Sequence, residues 1–266
     1  MTIVPGPFVV ACAVVFGLAV GSFLNVVIWR VPRGESIVSP PSACPRCGHA
    51  IRPRDNVPVV SWLLLRGRCR DCHEPISVRY PLVEAGTAAL FGLTAWWAGW
   101  TWSLPAYLYL AAIAVALALI DIDTKRLPDA IVLPSYPVAA ALLALASWNP
   151  GGVSDWSAFV RALLGCAVLF AGYFVLMFIY PAGMGFGDVK LAGVLGLYLG
   201  WLGWGAFAVG AFAAFLVGGV FSIALLAAGR ANRKSAIPFG PWMITGAAIG
   251  LAVGERLWAA YLGVLG

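Results

Sequence analysis

The chain has 266 residues, of which 62% are hydrophobic and only 11% are charged, and its mean hydropathy is +0.91. This composition excludes a soluble globular protein. The net charge of +6 is confined to a few loops, which is typical of membrane orientation and argues against nucleic-acid binding. No basic residue precedes the first apolar run, so we do not expect a cleaved signal peptide.

Apolar runs long enough to cross a bilayer, about 20 residues each, recur along the chain. Eight spans are predicted, at residues 7–29, 81–100, 103–120, 129–148, 157–180, 188–202, 204–229 and 239–264. The sixth is short and rich in glycine, which is typical of a helix that lines a cavity. The chain is therefore predicted to be an all-α polytopic membrane protein with about eight transmembrane helices.

The basic residues indicate how the chain is oriented. Fifteen of the 17 lysines and arginines fall in loops that share one side if there are eight spans. Nine lie in the segment 30–79, and the others are Lys125, Arg126, Lys190, Arg230, Arg233 and Lys234. The positive-inside rule makes this side cytoplasmic and places both termini outside. We expect a structural role for Arg161 and Arg256, which fall inside spans.

Tryptophans mark the opposite side. Eight of them cluster at the predicted outer ends of the spans: Trp96, Trp97, Trp100, Trp102, Trp148, Trp156, Trp201 and Trp204. Such a belt is typical of a membrane–water interface.

Two Cys-x-x-Cys pairs lie between the first two spans. Cys44 and Cys47 are separated from Cys69 and Cys72 by 21 residues. Two such pairs supply four thiolates for one tetrahedral zinc ion, and four sulfurs leave no open position for water, so the site is predicted to be structural. Two disulfides are disfavoured in a reducing cytosol, and a thiol redox relay is the remaining alternative.

Other polar residues near this loop have less specific interpretations. His49 and His73 are spare ligands at best, and Cys12 and Cys166 fit apolar packing. Asn25 within the first span links helices or belongs to a site. Glu84 either pairs with Arg79 or serves as a ligand group at the membrane surface.

Two carboxylates are predicted at similar depth on the cytoplasmic side. Asp121 ends the apolar run of the third span, and Asp188 follows the glycines of Gly183–Gly187. Asp188 is suited to capping the helix that follows, but a carboxylate at a bilayer edge is costly and indicates function. Paired carboxylates share one proton, so one can activate water while the other polarises a carbonyl. Neither residue is assigned the base role, because such a pair titrates as a unit.

The chain resembles the type IV prepilin peptidases, which are Gly-x-Gly-Asp intramembrane aspartic proteases. The resemblance rests on the paired cysteines and on these segments: Gly21–Pro32, Ile76–Glu84, Asp121–Asp129, Gly183–Lys190 and Ile237–Trp242. It implies that Asp121 and Asp188 are the catalytic aspartates. Asp121 is chosen over Asp123 because the family's aspartate lies seven residues before a proline, here Pro128.

The resemblance also implies the substrates and a second activity. The substrates are prepilins and pseudopilins of a pilus or secretion system, cleaved after a glycine at the inner membrane edge. Gly185 and Gly187 would let the substrate backbone approach Asp188. The second activity is methylation of the new N-terminus by S-adenosylmethionine, whose binding residues the sequence does not reveal.

The predicted organisation has three parts. Residues 1–29 form the first transmembrane helix, residues 30–80 form the cytoplasmic tetracysteine zinc module linked to methylation, and residues 81–266 form the transmembrane peptidase domain. The expected location is the bacterial inner membrane, in contact with lipid. The alternatives are a membrane thiol oxidoreductase that uses the cysteine pairs, and a transporter whose aspartates bind protons or cations.

Overall fold

The computed structural model describes residues 6–181, 183–230, 232 and 237–265. Arg233 and Lys234, two of the basic residues used to predict orientation, lie outside this described part. Within it the chain is helical apart from turns and isolated bridges. The helices are α1 (Gly6–Arg30), α2 (Val60–Leu64), α3 (Arg79–Ala98), α4 (Leu104–Thr124), α5 (Asp129–Trp148), α6 (Trp156–Ile179), α7 (Phe186–Leu202), α8 (Trp204–Ala227) and α9 (Gly240–Leu265).

Eight of these helices coincide with the predicted apolar segments, which confirms the all-α fold class. Six of them are long and apolar enough to cross a membrane, namely α1, α4, α5, α6, α8 and α9. Helix α7 has 17 residues, fewer than the about 20 that a span needs, and α3 carries Arg79 and Glu84. The number of eight spans therefore stays a prediction.

The chain divides into two compact units, residues 1–116 and 117–266, and the boundary falls within α4. In the N-terminal unit, α1 packs antiparallel on α3. A Cβ on Gly17 would lie 2.7 Å from the Cα of Ala88, and one on Gly21 would lie 2.7 Å from the Cα of Glu84. These glycines let the two backbones touch, which is how membrane helices gain van der Waals contact.

Helix α7 is the centre of the C-terminal unit, since residues 191–200 are all buried. Its glycines allow atoms of the neighbouring helices to come very close to the α7 backbone. A Cβ on Gly196 would lie 2.4 Å from the carbonyl oxygen of Gly165 in α6, and one on Gly193 would lie 2.2 Å from the hydroxyl of Tyr136 in α5. The glycines of this segment, from which a cavity-lining helix was predicted, form close contacts with neighbouring helices.

Charged side chains inside the helices form hydrogen bonds with unpaired backbone groups at the ends of neighbouring helices. The Arg161 guanidinium donates hydrogen bonds to the carbonyl oxygens of Gly200 and Trp201, each at 2.9 Å, at the end of α7. Glu255 accepts the N–H of Ala206 at 2.9 Å, at the start of α8. The contacts of Arg161 agree with the structural role expected for it, because helix ends carry unpaired backbone groups.

Candidate active site and metal centre

The tetracysteine segment forms two matching turns. In the first, the Cys44 N–H donates to the carbonyl of His49 and the Gly48 N–H donates to that of Cys44, both at 2.9 Å. In the second, Cys69 and Glu74 are joined in the same way at 2.9 Å, and the His73 N–H donates to the Cys69 carbonyl at 3.0 Å. Gly48 and His73 both have positive φ, 73° and 59°. His73 thus takes the left-handed position that glycine fills in the first turn.

The four sulfur atoms converge. The Sγ atoms of Cys44, Cys47, Cys69 and Cys72 all lie within 4.8 Å of one another, and none is in a disulfide. Backbone N–H groups of Cys47 and Arg46 lower the pKa of the Cys44 thiol to about 6, whereas desolvation and the neighbouring thiols raise the pKa of Cys72 to about 12. A metal binds the thiolate form of each. Four thiolates at this spacing fit a tetrahedral zinc ion. The cluster is therefore a group that could hold a metal ion.

Ion pairs and hydrogen bonds hold the module around the cysteines. Arg70, between Cys69 and Cys72, donates to both carboxylate oxygens of Asp55 and holds the pKa of that carboxyl below its usual range. Arg52 pairs with Asp71 at 2.9 Å. Since each pair joins a cysteine turn to the loop between the turns, the two halves of the module are tied together.

Asn25 and Glu84 both make backbone contacts in the same unit. The amide nitrogen of Asn25 donates to the carbonyl oxygen of Tyr80 at 3.2 Å, a link between α1 and α3. The Glu84 carboxylate, 8% exposed, accepts the N–H of Val59 at 2.7 Å. Glu84 therefore connects α3 to the cysteine module, a role the sequence did not suggest because Val59 lies 25 residues away.

Asp121 lies in the last turn of α4, because the helix runs four residues beyond the predicted end of the third span. The Thr124 hydroxyl donates to the Ile120 carbonyl at 2.8 Å, and Lys125 ends the helix with a φ of 53°. Asp121 is only 4% exposed, whereas Asp123 is exposed. Burial thus separates the two aspartates that the sequence offered.

The buried carboxylate of Asp121 is held by the start of α9. Its Oδ2 atom accepts the N–H of Gly240 at 2.9 Å. A Cβ at position 240 would lie 2.8 Å from that oxygen, so any larger residue would displace the carboxylate or the start of α9. A helix N-terminus stabilises a nearby carboxylate. The segment Ile237–Trp242 contributed to the family resemblance, but its partner could not be read from a position 119 residues away.

Asp188 is the third residue of α7, and it does cap its own helix. Its Oδ2 atom accepts the N–H of Gly185 at 3.1 Å, and its N–H donates to the Gly185 carbonyl at 3.0 Å. Gly185 is exposed, whereas a Cβ on Gly187 would lie 3.0 Å from the Cβ of Leu127. Glycine at 187 therefore lets the first turn of α7 pack against the loop that follows α4.

Leu127 places the two aspartates in one neighbourhood. It is 8% exposed and lies against Gly187 on one side and Gly240 on the other. Gly187 precedes Asp188, and Gly240 binds Asp121. Two carboxylates in one neighbourhood are suited to general acid–base chemistry.

An ion pair beside this site joins α5 to α7. The Lys190 ammonium pairs with Asp129 and lies 5.0 Å from the ring centroid of Phe186. The Tyr136 hydroxyl donates to the Lys190 carbonyl at 2.6 Å. Sequence analysis placed Asp129 at the start of its helix and did not foresee the partner, because the pair is 61 residues apart.

Two family profiles match the chain. Residues 15–98 match the Bacterial Peptidase A24 N-terminal domain, and residues 108–223 match the type IV leader peptidase family. No solved structure matches the chain.

Similar curated proteins that cover most of the chain are named prepilin leader peptidase/N-methyltransferase, among them those of three bacteria. The protein from Pseudomonas aeruginosa is 36% identical over 95% of this chain and 93% of its own length. The one from Neisseria gonorrhoeae is 37% identical over 96% and 94%, and the one from Myxococcus xanthus is 41% identical over 86% and 67%.

Proposed function

The chain belongs to the type IV leader peptidase family, and on this basis we propose that it cleaves the leader peptide of prepilins or pseudopilins and methylates the new N-terminus. The observation that carries the proposal is the long match to prepilin leader peptidase/N-methyltransferases, together with two aspartates whose neighbours Gly187 and Gly240 both lie against Leu127. The match favours this function over a thiol oxidoreductase or a transporter, since neither is what the relatives are named for.

Asp121 and Asp188 are the proposed catalytic residues. One carboxylate takes a proton from water, which attacks the scissile carbonyl while the other carboxyl donates its proton to the carbonyl oxygen. The proton taken from water then goes to the leaving amine as the C–N bond breaks, and a hydroxyl of the tetrahedral intermediate returns a proton to the second carboxylate. The Gly240 N–H occupies one oxygen of Asp121, so its other oxygen is the one available to substrate. The exposed Gly185 would let the extended substrate pass close to Asp188, and Gly187, which packs on Leu127, keeps the start of α7 in place beside it.

The second proposed step is methylation. S-adenosylmethionine supplies a methyl group to the α-amine of the cleaved pilin, which loses a proton. The four cysteines are proposed to hold a structural zinc ion, since their sulfurs already converge and leave no position for substrate. In this scheme residues 30–80 form the zinc module and residues 81–266 the peptidase domain, as the sequence predicts.

The proposed location is the bacterial inner membrane, with the aspartates on the cytoplasmic side and both termini outside. The six apolar helices support a multi-pass protein, and the distribution of lysine and arginine supports this orientation. Exposed tryptophans at the opposite helix ends agree with an outer aromatic belt; of the eight predicted, only Trp201 is not exposed. A prepilin with its helix in the membrane and its leader in the cytosol presents its scissile bond at the aspartates.

The first test is cleavage of a purified prepilin by wild-type protein, Asp121→Asn and Asp188→Asn. General acid–base catalysis contributes about 10²–10⁴-fold, so each variant is expected to lose at least about 100-fold in kcat. Asp123→Asn is the matched control, because Asp123 is an exposed aspartate two residues from Asp121. Cleavage at the wild-type rate by either single variant would contradict the catalytic assignment.

Methylation is tested in the same reaction by adding S-adenosylmethionine with a labelled methyl group. Label is expected on the mature pilin, and the two aspartate variants are expected to transfer none, because no free N-terminus is formed. When pre-cleaved pilin is supplied, both variants should recover methyl transfer. Absence of label on pre-cleaved pilin with wild-type protein would contradict the second activity.

A further inference from the structure

Helix α2 presents apolar side chains outward from the loop between α1 and α3. Leu63 is 61% exposed and Leu64 is 78% exposed, and Val60 at the start of the helix is 49% exposed. Arg66 and Arg68 follow directly and are exposed. Neither guanidinium makes an ion pair or hydrogen bond with another residue of the described chain. The segment 60–68 thus combines an uncovered apolar face with unpaired positive charge.

A hydrogen bond fixes the start of this helix against α3. The N–H of Val59, which immediately precedes α2, donates to Glu84 at 2.7 Å. Glu84 lies in the second turn of α3, directly against Gly21 of the apolar helix α1. Tyr80, one turn earlier in α3, is level with Asn25 of α1. The start of α2 is therefore held beside the second turn of α3, at the end of α3 where Tyr80 contacts Asn25 of α1.

The residues on the cytosolic side of this level mark the membrane surface. Beyond Asn25, α1 continues to Trp29 and Arg30, and Arg33 stacks on the Trp29 ring at 3.6 Å. Aromatic and arginine side chains in this order are typical of the headgroup region. Since α2 starts beside the second turn of α3, near these residues, its exposed leucines are within reach of the headgroups and upper acyl chains.

Trp62 and Ser61 bind α2 to the cysteine module. This attachment keeps Leu63 and Leu64 on the exposed side of the helix. The Trp62 ring nitrogen donates to the Ile76 carbonyl at 3.1 Å, and the Ser61 hydroxyl is buried and donates to the Arg54 carbonyl at 3.0 Å. Val59 has a φ of 62°, which a β-branched residue adopts only when its surroundings impose it. The hydrogen bond to Glu84 accompanies that conformation.

We propose that residues 60–68 form an interfacial anchor, in which Leu63 and Leu64 insert among lipid chains and Arg66 and Arg68 bind the phosphates of anionic phospholipids. Charge complementarity favours anionic lipid, because the two arginines have no acidic partner among the described residues. Short apolar faces flanked by basic residues lie in the interface plane in this way. The anchor would hold the tetracysteine module against the membrane.

The test uses the full chain in nanodiscs of phosphatidylglycerol and phosphatidylcholine. A p-benzoylphenylalanine replaces Leu64, and in a second protein it replaces Leu63. After illumination, mass spectrometry is expected to find lipid attached at either position, with phosphatidylglycerol enriched over its share of the bilayer. The variant Arg66→Gln/Arg68→Gln should reduce that enrichment, by roughly fivefold for each arginine near an anionic surface.

The matched control is Arg46→Gln/Arg54→Gln, because these arginines are also exposed and unpaired within the described module but lie outside α2. It should leave the lipid enrichment unchanged. Cross-links to another part of the chain or to a second copy, in place of lipid, would overturn the proposal. An equal loss of enrichment in both double variants would also overturn the proposal, because the enrichment would then depend only on the net charge of the module.

Discussion

At the residue scale, Asp121 and Asp188 are held in different ways. Asp121 is near the carboxyl end of α4, where a negative charge is unfavourable, and the N-terminus of α9 supplies a compensating N–H from Gly240. Asp188 sits in the first turn of its own helix and caps Gly185. Capping and the proposed catalysis are compatible, because the cap occupies one of the two carboxylate oxygens.

Gly240→Ala tests the support of Asp121. The added Cβ would lie 2.8 Å from Oδ2, so the carboxylate or the start of α9 must move. A displacement of about 1 Å in a catalytic group can lower the rate about 100-fold, so we expect kcat for prepilin cleavage to fall by about 10- to 100-fold. The measurement is steady-state cleavage at a temperature where the variant is fully folded.

The control for this prediction is Gly246→Ala in the same helix. There the new Cβ would lie 2.4 Å from the backbone nitrogen of Ala214, so packing is disturbed without any contact to Asp121. Its kcat should stay within about threefold of wild type, since this substitution crowds α9 without displacing Asp121. Equal losses of kcat in the two variants would show that crowding of α9 alone explains the effect.

At the element scale, glycines decide which helices touch. Helices α6 and α7 meet where Gly165 faces Gly196 and Gly200, with a carbonyl oxygen of one helix against the Cα of the other. The sequence shows these glycines as members of apolar runs, and their spacing is typical of close helix packing. It does not show which helix each glycine faces, because every span carries several small residues.

Gly196→Ala is expected to destabilise this contact. A Cβ there would lie 2.4 Å from the carbonyl oxygen of Gly165, and overpacking of this kind costs about 1–3 kcal/mol. Thermal unfolding in detergent should show the loss as a lower midpoint temperature. Gly172→Ala in α6 is the control, since nothing lies within 4 Å of the added carbon. An unchanged midpoint temperature for Gly196→Ala would contradict the prediction, because α6 and α7 would then accommodate the added carbon without loss of stability.

At the scale of the whole molecule, the two sites belong to different units. The four cysteines lie in the unit 1–116, and both aspartates lie in the unit 117–266. The two family profiles divide the chain nearby, since one ends at residue 98 and the other begins at residue 108. A defect in the cysteine module is therefore expected to act mainly on the activity assigned to the N-terminal region.

Removal of the metal tests this expectation. Wild-type protein is predicted to contain about one zinc ion per chain, since four thiolates complete one tetrahedral site, and Cys44→Ser to contain much less. Methyl transfer to pre-cleaved pilin should fall by about tenfold or more, whereas peptidase kcat should change less. Metal analysis and both activity assays on the same preparation provide the readout. Full metal content in Cys44→Ser would contradict the zinc site, and an equal loss of both activities would contradict the division.

Sequence alone determined the features that depend on local composition and spacing. Apolar runs predicted the long helices within a few residues, because burial in lipid requires continuous apolar helix. The Cys-x-x-Cys spacing predicted the sulfur cluster, because each pair forms one turn around its own backbone hydrogen bonds. The motifs singled out Asp121 and Asp188 without showing what surrounds either.

Tertiary structure alone decided the contacts between distant segments. The N–H of Gly240 on Asp121, the carboxylate of Glu84 on Val59 and the pairing of Lys190 with Asp129 join residues 119, 25 and 61 positions apart. No periodicity encodes such partners, because each depends on how whole helices pack. Asp121 and Asp188 are both placed near Leu127 for the same reason: glycine at 187 and 240 lets α7 and α9 approach one loop.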